Sequence, residues 1–164
     1  MAGEVTVRRI RNSEHAALGD VTVSAYRTIP GYAPTAGYES VLGNVAGRAE
    51  SAEVLVAVDR DGAVLGGVAY VPGLGPLAEF DGEDEAGIRM LAVDPAAQGR
   101  GVGSLLAREC VARARAAGKA RLVLHTTPAM TSAHRLYERL GFVRTPGRDF
   151  SADGFELRAY VLDL

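Results

Sequence analysis

Apolar and polar positions alternate over residues 4–10 (EVTVRRI), the two-residue period of a half-buried strand. The period then lengthens. Ala16, Ala17, Val21 and Ala25 recur at helical spacing to about Arg27, with Ser13 in the N-cap position. Prolines and glycines around Tyr32 break residues 28–37 (TIPGYAPTAG) into loop, and a weaker helical stretch covers about 38–49. Two apolar runs follow, 53–58 (EVLVAV) and 63–70 (AVLGGVAY). The turn Asp59-Arg60-Asp61-Gly62 between them marks a hairpin. Residues 71–84 return to loop through Pro72, Gly73, Gly75, Pro76 and Gly82.

The second half keeps switching period. Residues 86–93 (AGIRMLAV) read as a strand stopped by Asp94-Pro95, and the unbroken apolar run from Met90 to Val93 suits a strand covered on both faces. Val102, Leu105, Leu106, Cys110, Ala114 and Ala117 mark one helix face, with Gly118 as its C′ residue. A strand at 120–126 precedes a short helix opened by Thr131 or Ser132 and closed by Gly141. Last come strands at about 142–146 and 155–162, on either side of a loop from Gly147 to Gly154. The order β-α-α-β-β-β-α-β-α-β-β predicts an α/β fold with a mixed sheet, rather than a strictly alternating doubly wound one.

Length and composition narrow the classes. At roughly 150 residues per domain, 164 residues predict one domain over 1–164. Hydrophobic residues at 48% and charged residues at 23% are those of an ordinary globular protein. The one cysteine, Cys110, makes neither an internal disulfide nor a cysteine-based zinc site. No apolar run reaches the ~20 residues of a membrane span, and the stretch MAGEVTVRRIR lacks the apolar core of a signal peptide. A cytoplasmic location is therefore expected. The net charge of −2 is uneven: residues 1–82 carry 6 basic and 10 acidic side chains, the rest 12 and 10. That split suits an anionic cofactor held by the C-terminal half, and equally a solvated surface.

One segment carries chemistry. In 91–106 (LAVDPAAQGRGVGSLL) a strand ends and Gly99, Gly101 and Gly103 crowd a loop that runs into an amphipathic helix. Glycines let successive N–H groups turn toward one point, and the helix N-terminus adds its positive dipole end, so the segment is a candidate anion site. The dinucleotide fingerprint fails, because the sixth position from Gly99 is Ser104 and from Gly101 is Leu106. The nucleoside-triphosphate loop fails too, lacking a lysine before Ser104. On glycine spacing alone, a connection without a ligand remains open.

Gln98-Gly99-Arg100-Gly101-Val102-Gly103, preceded by the strand Ile88 to Val93, resembles the Gln/Arg-x-x-Gly-x-Gly/Ala loop of the GCN5-related N-acetyltransferase (GNAT) superfamily. A second block, Ala133-His134-Arg135-Leu136-Tyr137-Glu138-Arg139-Leu140-Gly141-Phe142, is similar to that family's helix bearing Leu-Tyr-Glu followed by Leu-Gly-Phe. The resemblance is sharp over about 85–144. It implies a single-domain, mostly antiparallel mixed sheet of about seven strands with four helices.

It also implies acetyl-CoA as acyl donor, with no metal. The pyrophosphate would lie on the main-chain N–H groups of Gly99, Arg100, Gly101, Val102, Gly103 and Ser104, beside Gln98. The pantetheine arm would pair with the backbone of Leu91, Ala92 and Val93, Ala133 and Tyr137 would border the cofactor, and Tyr137 would protonate the departing thiolate. The family's usual base position, two residues before Arg89, is Gly87 here, which leaves Glu85 as the candidate base; Glu79, Asp81 and Asp84 read as solvated loop carboxylates. Met130 stands where many relatives carry asparagine, with Thr127 or Ser132 as substitutes for its hydrogen bond. His125 and His134 lack ligand-spaced partners. Arg135 and Arg139, one turn apart, suit either CoA phosphates or solvent.

The acceptor implied is an amine-bearing small molecule or peptide, placed near Tyr26, Tyr32 and Tyr38 and the stretch 79–85 (EFDGEDE), five of whose seven residues are carboxylates. Nucleic acid is not expected, since the basic surplus is missing, nor a membrane; a homodimer is an assembly the family allows. The reading from a different class is a non-catalytic acyl-CoA-binding or regulatory module, which needs the loop but neither Tyr137 nor a base.

Overall fold

The computed structural model describes residues 3–164; the first two residues of the N-terminal stretch lie outside the described residues. The chain runs β1 (Thr6–Arg9), α1 (His15–Arg27), α2 (Tyr38–Gly43), α3 (Val45–Ala49), β2 (Glu53–Val58), β3 (Val64–Val71), β4 (Glu85–Val93), α4 (Val102–Ala116), β5 (Arg121–Thr126), α5 (Thr131–Arg139), β6 (Val143–Arg144), β7 (Phe150–Ala152) and β8 (Phe155–Asp163). One sheet takes the order β1-β2-β3-β4-β5-β8-β6, with β7 paired to β8. Every pairing is antiparallel except β4 with β5.

The sheet is covered on both faces because β2–β5 bury both sets of alternating side chains. Val68, Tyr70, Ala86, Ile88, Leu122 and Leu124 meet Leu106, Cys110 and Ala114 of α4. On the other face, Val54, Val56 and Val58 meet Leu18 of α1 and Val45 of α3. The same face near Ala69 and Val71 is covered by Leu77, Ala78 and Phe80, so the loop between β3 and β4 folds back on the sheet.

The hairpin turn forms as expected, with the Asp59 carboxylate accepting from Asp61 and Ala63 N–H and Gly62 at φ 82°. Three details differ from the sequence expectations. The helix at 38–49 is two short helices, broken where the Asn44 side chain caps Gly47 N–H. Ser13 is not a cap: a 3-10 turn over Asn12–Glu14 precedes α1, and the Glu14 carboxylate accepts from Arg11 N–H and Arg8. The loop Gly147 to Gly154 contains β7, because β8 offers an edge that Phe150–Ala152 can pair. Eight strands and five helices result, against about seven and four.

Candidate active site

A cleft opens where two neighbouring strands part. β4 and β5 pair from Glu85 with Arg121 as far as Ile88 with Leu124, and no further. On its other edge β4 carries a bulge: Ala69 faces Arg89 and Gly67 faces Ala92, so Met90 and Leu91 together oppose Val68. Met90 sits at φ 54°, a left-handed conformation unusual for a side chain of its size. A bulge bends its strand and sharpens the twist. Here it turns the end of β4 away from β5, which stays in the sheet through β8 as far as Thr126.

The resulting cleft has a volume of about 620 Å³. One wall is Leu91, Ala92 and Val93, and its floor is the glycine loop. The opposite wall comes from Met130, Ala133, Leu136 and Arg139, and the end of α1 closes a third side with Tyr26, Ile29 and Pro30. The sequence pattern did not single out Ile29 and Pro30; the break in α1 at Pro30 is the only local signal that they carry.

The loop geometry explains why this floor attracts an anion. Asp94 accepts from Ala96 N–H at 2.9 Å and turns the chain after β4. Gly99 and Gly101 adopt φ 79° and 77°, and Gly101 is the N-cap of α4, with no side chain capping the helix. The first amide of this helix with an internal partner is Leu105, on the Gly101 carbonyl at 3.1 Å. The N–H groups of Val102, Gly103 and Ser104 have no backbone partner among the described residues. Such orphan donors at a positive helix end are what a pyrophosphate satisfies, so the residues present fit a CoA donor. Gln98, Gly99, Gly101, Val102, Gly103 and Ser104 border the cleft, whereas the Arg100 side chain is exposed and stands outside its wall.

The second motif is a helix stop. Gly141 at φ 97° is C′, Phe142 N–H bonds the Tyr137 carbonyl at 3.0 Å, and Gly141 N–H bonds Glu138 at 3.0 Å. These bonds form a Schellman cap, and its usual apolar contact is made by the rings of Tyr137 and Phe142, 5.7 Å apart. Leu-Gly-Phe therefore fixes Tyr137. The Tyr137 ring is buried near Phe142 and Tyr160 and, unlike its neighbour Leu136, is not among the residues that line the cleft. Burial raises its pKa, with the nearby Tyr26 phenol adding to the effect, so the group holds its proton at neutral pH.

Glu85 is not brought to the cleft. Its side chain is 1% exposed and accepts from Arg148 at 2.7 Å, Arg121 at 2.9 Å and Gly82 N–H at 3.2 Å. Arg148, then Arg121, hold its carboxyl down to about 2, which disqualifies it as a base for an ammonium. The carboxylate staples β4, β5 and the segment before β7 together. Glu85→Gln is expected to cost about 2 kcal/mol, less than a fully buried pair because both arginines stay partly hydrated. Because the folded pKa lies below the ordinary value of 4.5, the contribution is present above about 4.5 and fades toward about 2. The difference in melting temperature between wild type and variant should narrow over that interval on acidification.

Other expected residues separate cleanly. Glu79, which looked like a solvated loop carboxylate, is 17% exposed and lies beside Arg89 and His125. Asp84 pairs with Arg121, and Asp81 is exposed. The base position Gly87 is covered by the Phe80 ring, 2.8 Å from where a Cβ would stand. Met130 and Ser132 line the cleft, while the Thr127 hydroxyl is buried without a partner. Arg139 lines the cleft and Arg135 does not. His134 bonds the Thr127 carbonyl at 2.8 Å, a structural role. Burial pushes the Cys110 thiol up to about 12, so it is inert as a nucleophile. Tyr26, Tyr38 and Phe155 form a chain of tilted rings 6.4 and 5.2 Å apart beside the cleft, joined by Tyr32 at 6.3 Å from Phe155. Among the described residues no cluster of three or more metal-ligating side chains occurs, and no helix is long and apolar enough to cross a membrane.

Comparison with known proteins agrees with this geometry. A GNAT family acetyltransferase from Staphylococcus aureus Mu50 superposes with a TM-score of 0.77 at 14% identity, covering 98% of this chain and 99% of that one. A GNAT family acetyltransferase from Brucella melitensis, solved in complex with acetyl-CoA, superposes at 0.64 with 29% identity over 99% of this chain and 92% of that one. A mycothiol acetyltransferase of Streptosporangium roseum is 42% identical over 57 residues, or 35% of this chain and 17% of that protein, so the match spans about a sixth of that relative's length. The sequence model of the Acetyltransferase (GNAT) family matches residues 6–142. The chain therefore belongs to the GNAT acetyltransferase family.

Proposed function

We propose that this protein is an acetyl-CoA-dependent N-acetyltransferase that works as one domain over residues 1–164. The acetyl group passes to a primary amine of a small molecule or peptide by direct attack in a ternary complex. The single observation that carries this reading is continuity: the unpartnered amides at the start of α4 and the opened edge of β4 line the same cleft. Val102, Gly103 and Ser104 N–H would hold the pyrophosphate, with Gln98, Gly99, Arg100 and Gly101 shaping the approach. The freed backbone of Leu91, Ala92 and Val93 would pair with the pantetheine arm, and one of its N–H groups would polarise the thioester carbonyl.

When bound, acetyl-CoA supplies an acyl carbon open to an amine. Holding donor and amine side by side provides most of the acceleration, and Tyr137 provides the proton for the leaving sulfur. Tyr26 and the aromatic rings beside it would form the acceptor wall. A small-molecule acceptor agrees with the mycothiol acetyltransferase relative. A cytoplasmic location, and neither nucleic acid nor membrane as partner, complete the reading; sedimentation would decide between monomer and homodimer.

A CoA-release assay across small amines, amino acids, aminoglycosides and peptides tests it, and release with at least one of them is expected. Calorimetric binding of acetyl-CoA with no release across the set would favour the acyl-CoA-binding module instead.

A further inference from the structure

We propose that Glu79 takes the proton from the acceptor's ammonium, and that His125 positions Glu79 and shares that proton. The inference rests on the acetyltransferase reading and supplies the base which Glu85 cannot be.

Arg89 and His125 are the residues that follow the last β4–β5 pair, Ile88 with Leu124, so they stand where the strands begin to part. Their neighbours Ile88 and Leu124 belong to the core under α4. Alternation therefore turns Arg89 and His125 to the opposite face, the side of α1. The loop between β3 and β4 reaches that face because Leu77, Ala78 and Phe80 pack there and Phe80 lies over Gly87. Glu79 Oε1 is thereby placed 3.4 Å from Arg89 Nε and 3.7 Å from His125 Nδ1. Glu79, Arg89 and His125 do not themselves line the cleft; the cluster adjoins it through Tyr26, a cleft wall whose hydroxyl lies 3.7 Å from the Sδ of Met90, the residue after Arg89.

The hydrogen bonds around His125 leave room for one proton. Its Nε2 lies 2.9 Å from the Arg148 carbonyl, which can only accept, so Nε2 carries a hydrogen. Nδ1 is buried with no hydrogen-bond partner in a side chain only 1% exposed, and the group facing it is the Glu79 carboxylate. In the neutral imidazole Nδ1 is an acceptor, so two acceptors oppose each other. A single added proton converts that opposition into a hydrogen bond.

The remaining groups on this face do not compete: the buried Arg48 guanidinium is taken up by the Val41 and Leu42 carbonyls. The Arg89 guanidinium stands beside Glu79, the Arg148 guanidinium is engaged by Glu85, and Phe150 presents its ring to His125 at 4.7 Å. The Tyr26 and Tyr38 phenols are kept protonated by burial. Glu79, at 17% exposure, keeps accessible surface where the His125 side chain, at 1%, has almost none.

The protons balance. An ammonium N–H bond breaks, its electron pair stays on nitrogen, and the proton moves to Glu79 Oε1, shared with His125 Nδ1. The nitrogen pair forms the C–N bond to the thioester carbon as the C–S bond breaks. Tyr137 protonates the sulfur and recovers a proton from the nitrogen as the amide forms. The proton on Glu79 then leaves to water.

Two probes of similar shape separate this role from a structural one: benzylamine, an ammonium at neutral pH, and O-benzylhydroxylamine, largely free base there. Glu79→Gln should slow benzylamine acetylation ~100-fold and O-benzylhydroxylamine acetylation less than ~3-fold. Raising the pH until benzylamine is itself deprotonated should restore the lost rate, and acetyl-CoA affinity by calorimetry should be unchanged. His125→Asn should give the same pattern at roughly tenfold; if that variant does not fold, Glu79→Gln decides alone. Equal losses for the two probes, or no recovery at high pH, would overturn the proposal and leave the acetyltransferase reading standing. Wild-type protein that binds acetyl-CoA and acetylates neither the probes nor any amine of the CoA-release panel would overturn both.

Discussion

Tyr137→Phe is expected to cut turnover about a hundredfold, or ~3 kcal/mol of transition-state stabilisation, while acetyl-CoA binds as tightly as before. The substitution removes one oxygen and keeps the ring. Packing on Phe142 and Tyr160 and the Schellman cap on the Tyr137 carbonyl therefore survive. What disappears is a hydroxyl in a buried setting that raises its pKa and so keeps it protonated until a thiolate develops beside it. Steady-state kinetics with the best amine from the CoA-release assay, beside a calorimetric titration with acetyl-CoA, make the check. Full turnover in the variant would remove Tyr137 from the mechanism.

Gly101→Val should weaken acetyl-CoA binding at least ~10-fold, about 1.4 kcal/mol, before any effect on chemistry is considered. At φ 77° and ψ 11° a β-branched residue is strained by roughly 1–3 kcal/mol. No atom lies within 4 Å of the added Cβ, so the penalty comes from the backbone rather than from a clash inside the protein. Relief of that strain would rotate the cap of α4 and misalign the amides of Val102, Gly103 and Ser104. The new side chain would also stand on the cleft floor itself. Gly101→Asn is the control, because asparagine tolerates left-handed geometry better. Its loss should be the smaller of the two. Equal affinity in wild type and Gly101→Val would show that the loop does not carry the anion.

The two predictions differ in how far the sequence already carried them. Gln98 to Gly103 could be read directly, because a loop that must present consecutive amides needs glycine where φ is positive, and that need is local. Leu140-Gly141-Phe142 was legible for the same reason: a helix stop is written in neighbouring residues. The periodicities located β2 to β5 and α4, since their burial on both faces or on one stripe leaves a regular pattern.

The base was another matter. Five carboxylates in residues 79–85 look alike in the chain, and the family resemblance, through the base position occupied here by Gly87, pointed to Glu85 on the same strand face. Folding gives that residue two arginines from far along the chain, Arg121 and Arg148, and makes it a staple. Glu79 acquires His125 through a loop that folds back only because Phe80 finds room over Gly87.

The amino-acid sequence by itself thus determined the family, the glycine loop that opens α4 and the helix stop that follows Tyr137, all encoded by contacts a few residues apart. Only the tertiary structure decided where β4 parts from β5, which carboxylate is free to take a proton, and what walls the cleft. Each of those depends on groups that different elements bring together, and charge and burial at such a site are properties of the assembled neighbours rather than of any segment.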